Sequence, residues 1–334
     1  MNKTLIIAEI GVNHNGCLET AKKMIDRAKI SGADYVKFQS FFASSLVTKN
    51  ALKSDYQKVS ENDKSTQLEM LSELEFNNEQ FDQIFKYCKI KNIGFLSTGF
   101  DFQSMEILKS YDMDYIKVPS GEITNLPMLQ YVSKLKKPII MSTGMSTIKE
   151  IDAALKILNS NGVKNKNITF LQCTSEYPTP LSQANLNIIP ELRKIFDISV
   201  GFSDHTIGFE AALGAVALGA SIIEKHFTLD KSQKGPDHKT SIEPEEFKKM
   251  VNFIRGIETA LGSSIKKPTI AEEKNKIIVR KSIVAKKKIN KGEIFDENNL
   301  TTKRPANGIS PMMIESIIGK KSKRDFEQDE LIEI

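Results

Sequence analysis

Eight short apolar or β-branched runs recur through the first 230 positions, and amphipathic or small-residue stretches separate them. The runs are TLIIAEIG (4–11), YVKFQS (35–40), GFLSTGF (94–100), YIKVPS (115–120), PIIMST (138–143), TFLQCT (169–174), ISVGFSD (198–204) and SIIEKHFT (221–228). Strands buried on both faces read as near-continuous apolar runs of this kind, as in parallel sheets covered by helices. The intervening stretches carry the helical period: Leu18, Ala21, Met24, Ile25 and Ala28 fall on one face. Thr147–Ile148–Lys149–Glu150 has the spacing of a capping box opening the helix after the fifth run. Eight strands alternating with helices predict an α/β fold, and eight is the number that closes into a (β/α)₈ TIM barrel. An open doubly wound sheet is the alternative, disfavoured because no glycine-rich dinucleotide fingerprint follows the first strand.

The last two runs organise the rest. They end on His205 and His226, with the small-residue helix FEAALGAVALGA between them. A strand–helix–strand unit makes parallel neighbours whose C-terminal ends lie side by side. Both histidines are therefore expected at one rim, close enough to share a ligand, and a pair of ordinary rim histidines is the bland alternative. Residues 41–67 form a long polar segment carrying Asn62 and Asp63, a substrate loop, a lid or a plain insertion. The helical pattern fades at Gly262, KKPTIAEEKNK reads as a charged connector, and from Arg280 short β-like pieces alternate with Gly/Asn turns. The expected organisation is a barrel over 1–265, a linker over 266–279 and a small module over 280–334. A module of roughly 55 residues is marginal on its own and is expected to depend on docking or dimerisation.

Composition narrows the setting. The net charge of +5 comes from dispersed lysines, and no basic stripe with interleaved aromatics marks a nucleic-acid surface. The longest apolar run, Ala211 to Ile223, is far below the ~20 residues of a membrane span. The N-terminal MNKTLIIAEIG is too short an apolar stretch for a secretory signal. Cys17, Cys88 and Cys173 have no metal-ligand spacing, and an odd number argues against a disulfide framework, so a reduced, cytoplasmic setting is expected.

Polar residues at the C-terminal ends of barrel strands line the active site of such folds. Here they are Glu9, Lys37, Gln39, Thr98, Lys117 and Ser120, then Ser142, Tyr177, Ser203, His205, Glu224 and His226. A lysine inside a buried strand is costly unless it meets an anion. Lys37 and Lys117, both embedded in apolar sequence, are expected to face the mouth, although lysines that snorkel to solvent are the alternative. With Ser120, Ser142 and Ser203, each near a glycine, they make a cradle for phosphate or carboxylate. Two histidines without a thiolate suit a borderline divalent ion such as Mn²⁺ with positions left open for substrate. Glu224 is expected as a third ligand or an orienter, and Asp237 in GPDHKTS can reach back over the mouth.

These residues stand in AEIGVNHNG, GADYVKFQ, STGFD, YIKVPSGE, STGMST, CTSEYPTP, GFSDHTIG, EKHFTLD, GPDH and TKRPANG. Over essentially its whole length the chain resembles the sialic acid synthases, the nonulosonic acid synthase family. The resemblance implies a metal-dependent barrel that condenses phosphoenolpyruvate with an N-acylated mannosamine-type aldehyde sugar. It also implies an antifreeze-like (SAF) C-terminal domain that completes the partner's site in a swapped homodimer. By resemblance, His205 and His226 hold the metal, Mn²⁺ first and Mg²⁺ or Co²⁺ as alternatives. Lys37, Thr98, Lys117, Ser120, Ser142 and Ser203 hold phosphoenolpyruvate, and Glu9 is the active-site glutamate. Gln39, Asn62, Ser175, Tyr177 and Asp237 surround the sugar, and Arg304 reaches its N-acyl group across the dimer. Ser175 stands where some sialic acid synthases have asparagine. Legionaminic acid synthases share the scaffold, so both N-acetylmannosamine and a 2,4-diacetamido-2,4,6-trideoxymannose are open as the sugar.

Three rival readings remain at this level. A Schiff-base aldolase would use Lys117 as a desolvated amine. A 3-deoxy-octulosonate 8-phosphate synthase also uses phosphoenolpyruvate but lacks the extra module. Residues 280–334 could instead form an ice-binding or carbohydrate-binding module, although Lys303 and Arg304 place charge where an ice-binding face would be weakly polar.

Overall fold

The computed structural model describes residues 3–54, 57 and 65–334; Asn62 and Asp63 therefore lie outside the described residues. The chain divides into two compact units, Met1–Gly262 and Ser263–Ile334. In the first, eight parallel strands close into a barrel in sequence order. They are β1 (Leu5–Gly11), β2 (Tyr35–Ser40), β3 (Gly94–Gly99), β4 (Ile116–Val118), β5 (Ile139–Ser142), β6 (Ile168–Gln172), β7 (Ser199–Asp204) and β8 (Ile222–His226). Each lies within or against one of the eight apolar runs. β8 pairs with β1 and closes the ring, with Glu9 opposite His226.

Side-chain alternation divides each strand between two environments. Along β2, Lys37 and Gln39 line the barrel mouth while Val36 and Phe38 join the apolar core beneath the helices. The helix Leu18–Ile30 buries Ala21, Met24, Ile25 and Ala28 on the expected face, and Leu18 packs against the same core. The helix Ile148–Ser160 opens with the expected capping box. Thr147 N donates to Glu150 Oε2 (2.7 Å) and Glu150 N donates back to Thr147 Oγ1 (3.3 Å). Between β7 and β8 runs the helix Glu210–Ala217. At Gly201 of β7 an added Cβ would lie 2.6 Å from the Ile222 carbonyl, so glycine there is what lets β8 approach.

The insertion between β2 and β3 is structured where it is described. It contains the helices Ala43–Leu46, Gln67–Leu74 and Asn78–Ile90. Phe41, Ala43, Leu71 and Leu74 of the insertion form a small apolar cluster with Val12, the residue after β1.

In the second unit, β9 (Ser282–Ala285) pairs antiparallel with β10 (Leu300–Lys303). The core of this unit includes Ile283, Ile289, Phe295, Leu300, Ile317 and Phe326. The stretch expected as a charged linker contains a ten-residue helix, Ile270–Val279, opened by a Thr269–Glu272 capping box. It buries none of its residues, and its clearest sequence signature is the capping box. Among the described residues no helix is long and apolar enough to cross a membrane.

Candidate active site

A cavity of about 480 Å³ opens at the C-terminal ends of the barrel strands, where Glu9, Lys37, Lys117, Glu224, His205 and His226 converge. The first four form a buried chain of alternating charge. Lys37 Nζ lies 2.7 Å from Glu9 Oε2 and 3.7 Å from Glu224 Oε1, and Lys117 Nζ lies 3.9 Å from the same Glu224 oxygen. Lys37 also donates to Thr98 Oγ1 (3.2 Å), and Lys117 donates to Ser142 Oγ (2.5 Å). Ser203 Oγ donates to Glu224 Oε1 (3.1 Å). Glu224 therefore sits as counter-charge between the two lysines rather than with the histidines as a third ligand.

Burial sets the protonation of this group, and the neighbours then divide it. Desolvation pushes Glu9 up to about 7 against the pull of Lys37. Burial also works to raise Glu224, but Lys117 and Lys37 outweigh it and hold Glu224 below its ordinary value. Burial works to lower Lys37, and here Glu224 and Glu9 win and keep its amine above the ordinary value. Lys117, farther from either carboxylate, is left with its amine lowered by burial.

The backbone that carries these groups is specialised. The register of β1 against β2 slips between Glu9 and Gly11, and Gly11 sits at φ +56°. A Cβ there would be strained and would come within 3.3 Å of Glu9 Oε1 and 3.2 Å of Gln39 Nε2. Glycine thus lets Gln39 donate to Glu9 Oε1 at 3.2 Å. Gly144 does the same on the far side: a Cβ would overlap Ser175 Oγ, Ser120 Oγ and Cys173 Sγ. Ser120 Oγ accepts from Gly144 N (3.0 Å) and lies 3.2 Å from Cys173 Sγ.

The two histidines stand together on adjacent strands, with ring centroids 5.6 Å apart. Tyr177 lies 4.2 Å from the His205 ring and edge-on to His226 at 5.6 Å. Burial lowers His205 to about 4 and, with His205 and the nearby lysines adding to it, holds His226 well below the ordinary imidazole value. Both rings are neutral. His205 Nδ1 donates to the Thr174 carbonyl (2.7 Å), since a carbonyl can only accept, which leaves the Nε2 lone pair beside Ser203 Oγ (3.3 Å). His226 Nδ1 is buried without a hydrogen-bond partner, 3.6 Å from Asp237 Oδ2. Burial raises Asp237 to about 6. Neutral imidazoles, one with its tautomer fixed and one with an orphaned nitrogen, are the donors a divalent ion takes. Among the described residues no group of three or more His, Cys, Asp or Glu side chains has ligand geometry. An ion on this pair would draw its other ligands from water or substrate.

Of the residues expected at the site, all those in the barrel unit that are described line this one cavity, Ser175 and Tyr177 included. Asn62 lies outside the described residues, and Arg304 belongs to the second unit, exposed just after β10.

Comparison with known proteins adds a consistent set of relatives. Residues 24–266 match the NeuB family and residues 280–333 match the SAF domain. The chain is 53% identical over 333 residues to N,N'-diacetyllegionaminic acid synthase of Campylobacter jejuni subsp. jejuni, covering 99% of each chain. It is 44% identical to the N,N'-diacetyllegionaminic acid synthase of Legionella pneumophila, covering 95% of this chain and 89% of that one. Among solved structures, N-acetylneuraminic acid (sialic acid) synthetase of Leptospira borgpetersenii in complex with citrate superposes with a TM-score of 0.73 at 32% identity. That match covers 82% of this chain and 90% of the other.

One buried pair at the rim escaped the sequence reading. On the faces of β7 and β8 turned away from the cavity, Lys225 Nζ donates to Asp204 Oδ2 (2.8 Å) and to the Thr206 carbonyl (2.8 Å). Asp204 Oδ1 accepts from Thr206 N and Oγ1. The signal was present, because Lys225 is a lysine inside an apolar strand like Lys37, and Asp204 stands at the matching position of the neighbouring strand. The pair fixes the two residues that directly precede His205 and His226. Lys225→Met strands a buried carboxylate and is expected to destabilise the barrel by about 3–5 kcal/mol. Urea denaturation checks this, and a loss below about 1 kcal/mol contradicts the assignment.

Proposed function

Because the chain belongs to the NeuB family and ends in a SAF domain, we propose that this enzyme condenses phosphoenolpyruvate with an N-acylated mannosamine-type aldehyde sugar. The products are a nine-carbon nonulosonic acid and phosphate. The observation that carries this reading is the pair of buried lysines facing two neutral histidines across one cavity. An anion and a carbonyl oxygen would each find their natural partners in that one cavity.

Lys117, Ser142, Ser120 and Ser203 would hold the phosphate, with Lys37 and Thr98 beside it. A divalent ion on His205 and His226 would supply Lewis-acid polarisation of the sugar aldehyde. The enol C3 of phosphoenolpyruvate attacks the aldehyde carbon, forming the new C–C bond, and the aldehyde oxygen takes a proton. Positive charge develops at the former enol C2, water adds there and loses a proton, and the C2–O bond to phosphorus breaks to release phosphate. Glu9, buried and held near neutrality in its proton affinity, is placed to stabilise that positive charge and to accept the proton from water. Tyr177, packed against the His205 ring, together with Gln39, Ser175 and Asp237 would orient the sugar.

The C-terminal unit would serve a partner copy, bringing Arg304 to the sugar's N-acyl group in a swapped homodimer. In support, this unit leaves Ile270, Ile277, Ile278 and Met312 exposed. The three free cysteines accord with a reducing, cytoplasmic setting. The lowered amine of Lys117 is the one feature that favours a Schiff-base alternative. Borohydride with pyruvate would trap an adduct in that case and none in the synthase.

Incubation with phosphoenolpyruvate, Mn²⁺ and a panel of N-acylated mannosamine-type sugars is expected to release phosphate together with a product of the summed nonulosonate mass. EDTA is expected to abolish this turnover and Mn²⁺ to restore it; full turnover after metal stripping would overturn the role given to His205 and His226. Lys117→Ala removes a charge-assisted contact worth roughly 1.5–3 kcal/mol. The KM for phosphoenolpyruvate is expected to rise about tenfold or more, with a smaller change for the sugar. Equal changes in both would contradict the cradle.

A further inference from the structure

The segment after β6 carries Ser175 and Tyr177 to the cavity, and a side chain that does not line the cavity holds that segment together. This is Thr179, buried at 4% exposure. Its hydroxyl is shared between two carbonyls of its own loop, donating to Glu176 O at 2.8 Å and to Thr174 O at 3.1 Å. The loop 174–179 is thereby closed by one hydroxyl, and Ser175 and Tyr177 each directly follow a carbonyl that it fixes. Thr174 Oγ1 donates onward to Gln183 O (2.7 Å), which ties down the start of the loop as well.

Thr179 also grips His205 from two directions. Its backbone N donates to the His205 carbonyl (2.9 Å), beside a parallel bridge between Thr179 and Thr206. Its hydroxyl meets the same Thr174 carbonyl that accepts from His205 Nδ1 at 2.7 Å. A carbonyl oxygen has two lone pairs, so it can serve the imidazole and the hydroxyl together. The direction of this carbonyl decides which ring nitrogen keeps the proton. While Thr174 O points at Nδ1, the lone pair stays on Nε2. Removing the hydroxyl leaves the Thr174–Ser175 peptide with one of its two orienting donors and frees the loop whose Tyr177 packs on the His205 ring.

We propose that Thr179 is a positioning residue for the His205–His226 pair. Its hydroxyl orients the Thr174 carbonyl, the carbonyl fixes the tautomer of His205, and the tautomer sets the affinity of the pair for a divalent ion. The inference rests on the metal reading above. Thr179 acts through His205 and the loop alone.

The test measures Mn²⁺ binding to the full-length protein, read from the loss of the free-ion electron paramagnetic resonance signal. Removing an outer-shell partner of a ligating histidine typically costs about 10–100-fold in metal affinity. Thr179→Val keeps the shape and loses the hydroxyl, so it is expected to bind Mn²⁺ about tenfold or more weakly. Thr179→Ser keeps the hydroxyl and is expected to bind like the unsubstituted protein. At saturating Mn²⁺, Thr179→Val is also expected to raise the KM for the sugar, through Ser175 and Tyr177, with little change for phosphoenolpyruvate. A merely weakened fold would lower the active fraction and move neither constant. Should Thr179→Val fail to fold, Thr179→Cys takes its place; a thiol donates only weakly, and a several-fold loss of Mn²⁺ affinity is expected. Undiminished Mn²⁺ affinity in folded Thr179→Val or Thr179→Cys overturns the inference. Equal weakening in Thr179→Val and Thr179→Ser also overturns it, since the hydroxyl would then not be the operative group. An unsubstituted protein that binds no Mn²⁺ overturns the metal reading itself, and this inference with it.

Discussion

The site depends on placing two lysines and two glutamates out of water, on β8, β1, β2 and β4 of the barrel. Each ion carries a desolvation penalty of several kcal/mol, and removing one partner strands another. The group is tolerable because the signs alternate: Glu9, Lys37, Glu224, Lys117. The balance is uneven, however. Lys37 lies between two carboxylates, whereas Lys117 has only the longer contact to Glu224, and the opposite shifts of the two amines follow from that difference. A phosphate entering beside Lys117 and Ser142 would complete the charge balance there. Positive charge is least neutralised at Lys117, which is where the proposed anion would bind.

The remaining geometry serves to hold this group and the histidines at one depth. The strand register puts Glu9 beside Lys37 on one side and His226 on the other. The left-handed Gly11 leaves room for Gln39 to bond Glu9, and the Asp204–Lys225 pair fixes the backbone immediately before each histidine. Neutral histidines follow from the same burial that makes the lysines costly. The burial that desolvates the charges also keeps the imidazoles unprotonated, the form a metal would need.

The barrel was legible because strands buried on both faces leave continuous apolar runs, and because a helix such as Leu18–Ile30 must show its core stripe. The rim was legible for a related reason. Lys37 and Lys117 stand out only because their neighbours are apolar. What the chain order hides is which charge meets which. Glu224 reads equally well as a ligand or a counter-ion until the depth of β8 against β2 and β4 is known. Lys225 carries the same sequence signal as Lys37 yet faces the other way and meets Asp204. The helix Ile270–Val279 carries its few apolar residues at its two ends, around a charged middle, so its capping box was the clearer signal. The cavity face of Gln67–Leu74 was obscured because the insertion reads as polar overall.

In the proposed reaction phosphoenolpyruvate reacts at C3 as a nucleophile and loses phosphate from C2. The most direct measurement uses phosphoenolpyruvate with ¹⁸O in the oxygen bridging C2 and phosphorus, turned over with an accepted sugar, followed by mass analysis of both products. In the proposed reaction the label leaves entirely with phosphate. Label retained at C2 of the nonulosonic acid would mean that the P–O bond breaks instead and would contradict it.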